Sequence, residues 1–239
     1  MNARTKTLFH FTGLENGFNT LQQILNDLAF WPKYGPEDVA WLGDLNFSKV
    51  FLPRVCFCDI PILRIHEHAS KYGGYGIGLC KEKAAMFVAL NPVLYVQPDS
   101  ILQQSLKEIL SLLRQNEDNH VRTNGMILLA HCKPLKFYSE CEWRFIHWVD
   151  GASGENKYGF FLSEERFAEV KKEANEERKG RMLDFRPDEV RYLIVKTPDD
   201  VSELVSFIDS NPKLARYDKT VRDMLKTRIV VLDEISSDL

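Results

Sequence analysis

The sequence predicts a single α+β domain built of mixed β-sheets with peripheral helices. Short apolar runs that alternate with polar residues recur along the 239 residues, which is the mark of half-buried strands. Longer segments place apolar residues at helical spacing, most clearly over Ser100–Gln115, where Ile101, Leu102, Leu106, Ile109, Leu110 and Leu113 share one side. Strands and helices are interspersed without the regular alternation of a βαβ chain. No internal repeat or linker sets off a second domain, so the domain is taken as 1–239.

Composition narrows the classes. Hydrophobic residues make up 44% and charged residues 27%, ordinary values for a globular protein. A net charge of −3 gives no overall attraction to nucleic acid or to anionic lipid, although local basic patches remain open. No apolar run approaches the roughly 20 residues of a membrane span. Met1–Lys6 lacks an apolar signal core, so a cytoplasmic location without membrane contact is expected. Five cysteines, an odd number among apolar neighbours, fit reduced thiols better than a disulfide framework.

In order, Thr7–Phe11 reads as an opening strand that ends near His10. Thr12 is positioned to cap a helix over Leu14–Leu28, with Glu15 as capping-box partner. Trp31–Pro53, broken by Pro32, Gly35, Pro36 and Gly43, reads as a long ordered loop pinned by its aromatics. Val55–Asp59 is a strand and Pro61–Tyr72 a short helix. Cys56, Cys58, His66 and His68 have the wrong spacing for a zinc finger or ribbon, and no metal is expected. Gly73–Leu79 follows a polar helix rather than a buried strand, so it lacks the context of a dinucleotide fingerprint. It reads as a glycine-rich strand on which Tyr75 and Ile77 share a face, with glycines that let a ligand or a backbone come close.

A helix-like Lys81–Leu90, a strand over Pro92–Gln97, the Ser100–Gln115 helix and a polar loop over Gln115–His120 come next. Met126–Ala130 leads through Pro134 into Lys136–Trp148, read as a strand. After a turn at Asp150–Asn156, Glu164–Lys179 is a charged helix. Its basic end, with Lys171, Lys172, Arg178, Lys179 and Arg181, faces solvent or a polyanion. Arg191–Lys196 is a strand, Asp200–Asp209 and Leu214–Leu225 are helices, and Thr227–Leu232 is a last strand.

Within Lys136–Trp148, one strand face carries Glu140, Glu142, Arg144 and Ile146, and the other Cys141, Trp143, Phe145 and His147. Carboxylates two residues apart in a strand point the same way, roughly 7 Å apart. That face is either solvated, with Arg144 bridging the two glutamates, or a site whose paired carboxylates stabilise a cation or orient sugar hydroxyls. Spacing leaves both open.

Several motifs in order resemble a known family. They are Leu8-Phe9-His10-Phe11-Thr12 before a helix, Val55-Cys56-Phe57-Cys58-Asp59-Ile60-Pro61, His68, the run from Tyr72 to Leu79, Tyr138-Ser139-Glu140-Cys141-Glu142-Trp143-Arg144, and Leu183-Asp184-Phe185-Arg186-Pro187. Together, to about Lys196, they resemble the AbiGi-type abortive-infection proteins, bacterial phage-resistance components often labelled antitoxins. The chain is also distantly similar to ADP-ribosyltransferases of the His-Tyr-Glu class, including DarT-like toxins, through His10, Tyr75 and Glu142 in that order.

The second resemblance implies an ADP-ribosyltransferase-like fold and NAD as substrate, with no metal. Breaking the nicotinamide–ribose bond passes through an oxocarbenium-like cation, which Glu142 would stabilise. His10 would bond the adenosine ribose with help from Thr12. Tyr75, or Tyr72 in its place, would stack on nicotinamide. Glu140 would orient the acceptor nucleophile, and Arg144 would pair with phosphate or with Glu140. On this basis the chain is expected to be an NAD-dependent ADP-ribosyltransferase of phage defence that modifies a nucleic-acid or protein acceptor. The antitoxin label of the first family implies the alternative, a noncatalytic module that grips a cognate toxin, just as a toxin would have a cognate antitoxin. A small-molecule hydrolase using the paired carboxylates is a third reading.

Overall fold

The computed structural model describes residues 5–43, 45–86, 89–146, 158–177 and 182–237. In chain order its elements are β1 Thr7–Phe11, α1 Gly17–Asp27, β2 Ala29–Phe30, β3 Lys33–Asp38, β4 Lys49–Cys58, α2 Ile65–Tyr72, β5 Gly76–Cys80, α3 Lys81–Ala84, β6 Leu90–Pro92, β7 Leu94–Val96, α4 Ile101–Gln115 and α5 Asn119–Ala130. They continue with β8 Cys132–Pro134, β9 Glu142–Phe145, α6 Glu164–Glu177, β10 Leu183–Asp184, β11 Val190–Val195, α7 Asp199–Ser210, α8 Lys219–Lys226, β12 Ile229–Val231 and α9 Leu232–Ser237. Mixed strands and helices are thus what the patterning called for. Two compact units emerge, each gathered from distant parts of the chain. The first holds Met1–Phe30, Phe57–Val88 and Leu183–Leu239, and the second Trp31–Cys56 and Ala89–Met182.

In the first unit the strand order is β12-β11-β5-β1, with Phe9 of β1 registered on Cys58 at the end of β4. β1 and β11 both run antiparallel to β5, and β12 lies parallel to β11. The glycines of β5 make room for the protein's own atoms. A Cβ on Gly78 would lie 2.9 Å from the Phe9 ring, which itself stacks on Tyr192 at 5.7 Å. A Cβ on Gly76 would meet the His10 carbonyl at 2.7 Å. The strand begins only at Gly76, so Tyr75 is not part of it. Gly73 instead ends α2 with φ of +102°, a conformation that L side chains rarely adopt.

Thr12 is not the cap of α1. That helix starts at Gly17 behind Asn16, a left-handed residue whose side chain makes no cap bond. The Thr12 hydroxyl donates to the Gly17 carbonyl at 2.8 Å, tying the loop to the helix rather than opening it. Helix α1 buries Leu21, Ile24 and Leu25. β2 and β10 form a small antiparallel pair that has no periodic signal because each is two residues long.

The second unit corrects several boundaries. Trp31–Pro53 is not a loop: β3 pairs with β4 in antiparallel register, Tyr34 on Pro53 and Glu37 on Val50. Tyr34 sends its N–H to the Asn175 side chain at 2.9 Å, so a proline opposite it leaves no ladder donor stranded. The strand read over Val55–Asp59 is the end of this longer β4, which stops at Cys58. β6 pairs antiparallel with β9, which lies beside β4, and β7 pairs parallel with β8. The helix expected over Lys81–Leu90 stops at Ala84, and the Pro92–Gln97 strand divides into β6 and β7.

Asp118 caps α5 by accepting from the N–H groups of His120 and Val121, which turns part of the expected polar loop into helix. Helices α4 and α5 cover a core that includes Val39, Leu42, Val50, Leu106, Leu110 and Met126. Helix α6 packs Phe167 on Phe51, ring centroids 4.5 Å apart.

The expected Lys136–Trp148 strand is much shorter. Leu135–Glu140 forms a 3-10 turn, Cys141 has φ of +44°, and extended structure begins at Glu142. His147 and Trp148, the Asp150–Asn156 turn, and the basic residues Arg178, Lys179 and Arg181 lie outside the described residues. Leu214–Leu225 resolves into a 3-10 turn and α8, and the last strand is followed by α9. Among the described residues no helix is long and apolar enough to cross a membrane.

Candidate functional site

The second unit brings three of the sequence-predicted site residues together, in a buried cluster of charge. Glu142 opens β9 and Arg144 follows it on the same strand face, as alternation requires. Glu140 reaches the same place from the end of the 3-10 turn, because left-handed Cys141 redirects the chain between them. The face is not solvated: Arg144 is 1% exposed, Glu142 6% and Glu140 7%. Side chains of this kind are almost never so buried unless paired.

Every one of these charges has a partner. Arg144 donates from Nε to Glu142 Oε1 at 2.8 Å and from Nη2 to Oε2 at 3.2 Å. Its Nη2 also reaches Glu37 Oε1 on β3 at 2.9 Å, and its Nη1 donates to the Ala130 carbonyl at the end of α5. Lys133 on β8 joins the two glutamates, with Nζ 2.5 Å from Glu140 and 2.9 Å from Glu142. Arg54 on β4 closes the set by pairing with Glu37 at 3.2 Å. Three carboxylates thus meet three cations. The Tyr95 hydroxyl on β7 accepts the Glu142 N–H at 2.7 Å.

The electrostatics follow from this pairing. Burial by itself would push the Glu142 carboxyl up. The charge and hydrogen bonds of Arg144, the charge of Lys133 and a bond from the Cys56 thiol outweigh it and hold the group at about 2. Cys56 is driven the other way, to about 12, by burial and by the neighbouring Glu142 charge. For Lys133, burial opposes protonation, but both glutamates prevail and raise its pKa. Burial likewise raises the Tyr95 phenol. At neutral pH Glu142 is therefore ionised, and Lys133 and Arg144 are protonated.

The other sequence-predicted residues belong to the first unit. The His10 ring lies edge-on to Phe30 at 5.1 Å and tilted against Phe57 at 5.6 Å. Thr12 donates its N–H to the Tyr75 carbonyl at 3.0 Å. The Tyr75 hydroxyl donates to the Asp200 carboxylate at 3.3 Å, and its ring meets Phe18 edge-on. Burial, followed by the Asp200 charge, raises the Tyr75 pKa. Tyr72 is partly exposed, lies beside the His68 ring at 6.1 Å, and accepts the Gly13 N–H through its carbonyl. Thr12 and Tyr75 are therefore joined, and Tyr72 holds the same loop.

Sequence reasoning missed Glu37, Arg54, Tyr95 and Lys133. Lys133 had a signal, since it is a lone charge in the run from Met126 to Leu135 and a lone charge inside an apolar stretch calls for a buried partner. Glu37 had none, being hidden in a segment rich in proline and glycine. The five cysteines are free thiols, and among the described residues no group of three or more His, Cys, Asp or Glu could hold a metal ion.

Comparison with known proteins adds two findings. A family model described as "Putative abortive phage resistance protein AbiGi, antitoxin" matches residues 29–134. A protein of Lactococcus lactis subsp. cremoris named "Abortive phage resistance protein AbiGi" is 27% identical over 251 residues, covering 88% of this chain and 100% of the relative. Both show the AbiGi-type resemblance read from the motifs, and neither shows a likeness to ADP-ribosyltransferases. No solved structure matches.

Proposed function

From this AbiGi-type likeness, we propose that the chain acts in phage resistance as a noncatalytic binding protein of the antitoxin kind, neutralising a cognate toxin by contact. The observation that carries this is the saturation of Glu142. A carboxylate that stabilises an oxocarbenium ion must direct unspent charge at the sugar. Both oxygens of Glu142 are held by Arg144, and one also by Lys133. A cationic sugar brought there would face two fixed positive charges. A cluster of this kind holds strands in place, which is what a contact surface needs. The names carried by the family model and by the relative support the same direction.

Co-expression tests it. Expressed alone the chain should leave growth unchanged, and expressed with the protein encoded by the neighbouring gene it should lift that protein's growth arrest. Purified chain given labelled NAD should transfer no label to protein or nucleic acid. Growth arrest by the chain alone, with label transfer that Glu142→Gln abolishes in a folded protein, would instead establish the transferase with NAD as its substrate.

A further inference from the structure

Side chains three apart in a 3-10 turn eclipse one another, so a six-residue turn has three edges. Leu135–Glu140 follows that rule. Phe137 and Glu140 form the inward edge, where Glu140 is buried on Lys133 and the Phe137 ring lies 4.7 Å from the Lys133 ammonium. Lys136 and Ser139 form a polar exposed edge. Leu135 and Tyr138 form the third edge and are 37% and 53% exposed. An apolar pair thus stands in water beside a cation, although the same turn has an inward edge on which apolar side chains could have been buried.

The turn is also held rigidly. Pro134 precedes it, the Cys141 N–H returns to the Tyr138 carbonyl at 3.1 Å, and Tyr138 meets Tyr95 edge-on at 5.4 Å. Tyr95 in turn accepts from the Glu142 backbone. The buried charges therefore fix the turn from beneath. Leu94 on neighbouring β7 is half exposed as well. Rigid tyrosine beside apolar surface is the usual composition of an interface anchor, since little freedom is lost when it binds.

Charge sets the chemistry of the occupant. Glu140 and Glu142 are spent on Lys133 below the surface, and Lys136 makes no ion pair among the described residues, only a contact with the Phe137 ring at 5.1 Å. The exposed face of the turn is therefore apolar and singly positive. We propose that the turn Leu135–Glu140 is the anchor by which this chain grips its protein partner, Leu135 and Tyr138 entering an apolar pocket whose rim bears a carboxylate for Lys136. The proposal rests on the binding reading above and names the surface that does the binding.

The test uses the full chain and the purified protein encoded beside it. Tyr138→Ala and Lys136→Glu should each weaken their binding by about tenfold or more, and should lose growth rescue, while melting temperature and circular dichroism stay as in the unchanged chain. Binding and rescue that survive both substitutions overturn the anchor but leave the binding reading intact. If the unchanged chain fails to bind or to rescue, the binding reading falls and the anchor with it. Tight binding of a labelled single-stranded oligonucleotide that Tyr138→Ala abolishes would overturn the protein partner in favour of nucleic acid.

Discussion

Replacing Arg144 with methionine is the sharpest probe of the buried cluster. The change keeps an unbranched side chain but removes four hydrogen bonds, two to Glu142 and one each to Glu37 and the Ala130 carbonyl. Glu142 keeps only Lys133 among its cations, and Glu37 keeps only Arg54, both carboxylates still being inside the protein. Removing one partner of a buried pair costs about 3–5 kcal/mol, since the remaining charge stays desolvated. For a chain of this length that corresponds to roughly 2–4 °C of melting temperature per kcal/mol, so a fall of about 6–20 °C. Thermal and urea unfolding followed by circular dichroism measures it. The companion Glu142→Leu/Arg144→Met should be less destabilised than Arg144→Met alone, because it removes the stranded carboxylate and fills its place with apolar atoms. A single variant within about 1 kcal/mol of the unchanged chain, or a double variant worse than the single by the full cost of a second lesion, would refute this account of the cluster.

Other consequences are as direct. The Glu142 carboxyl is depressed to about 2 from its ordinary 4.5, so it contributes stability above the unfolded value that is lost as pH falls towards 2. The acid limb of unfolding between about pH 5 and 2 should be shallower in Glu142→Gln. A Cβ at Gly73 would run into the Gly13 backbone, and φ there is +102°. Gly73→Ala should accordingly lower stability by at least about 1–3 kcal/mol, read from the urea midpoint. Cys56, partly buried beside Glu142 with its thiol raised to about 12, should resist iodoacetamide at pH 8 in the native protein and react after unfolding; alkylation as fast as that of an exposed thiol would contradict its placement.

What the sequence made legible is what periodicity controls. Helix α4 was plain because its apolar residues recur at helical spacing, and the structure adds Ser100 as its cap. β1 and β11 were plain because they are apolar runs of ordinary strand length. The β3–β4 pair was hidden by Gly35, Pro36 and Pro53, which usually punctuate loops, yet side-chain acceptors and pair register make them tolerable in strands. α5 was obscured by the polar start Asn119-His120-Val121-Arg122, whose helical state depends on the Asp118 cap. The carboxylate pair was found through the wrong geometry. Alternation was assumed across Glu140, but a left-handed Cys141 breaks it, and the two side chains converge because Lys133 draws them together. Long-range pairing of this kind leaves no local trace.

Stability alone does not account for a cluster of six charges in which Glu140, Glu142 and Arg144 are buried and Glu37, Arg54 and Lys133 partly so. A well-packed apolar set can replace such a group at no loss, so its retention calls for another advantage. Here the charges tie together β3, β4, β8, β9, the end of α5 and the 3-10 turn, and all their hydrogen bonds are made in one arrangement of those segments. Apolar side chains would tolerate small slips between the same strands, whereas a shift of about 1 Å would break several of these bonds at once. The segment that gains most from such strictness is the exposed turn built directly on Glu140, which presents Leu135, Lys136 and Tyr138. Glu142→Leu/Arg144→Met therefore separates the two roles, because it can recover stability while loosening the turn. If partner binding falls in that variant although its unfolding midpoint is restored, the cluster acts by setting shape; if binding is kept, shape is set elsewhere.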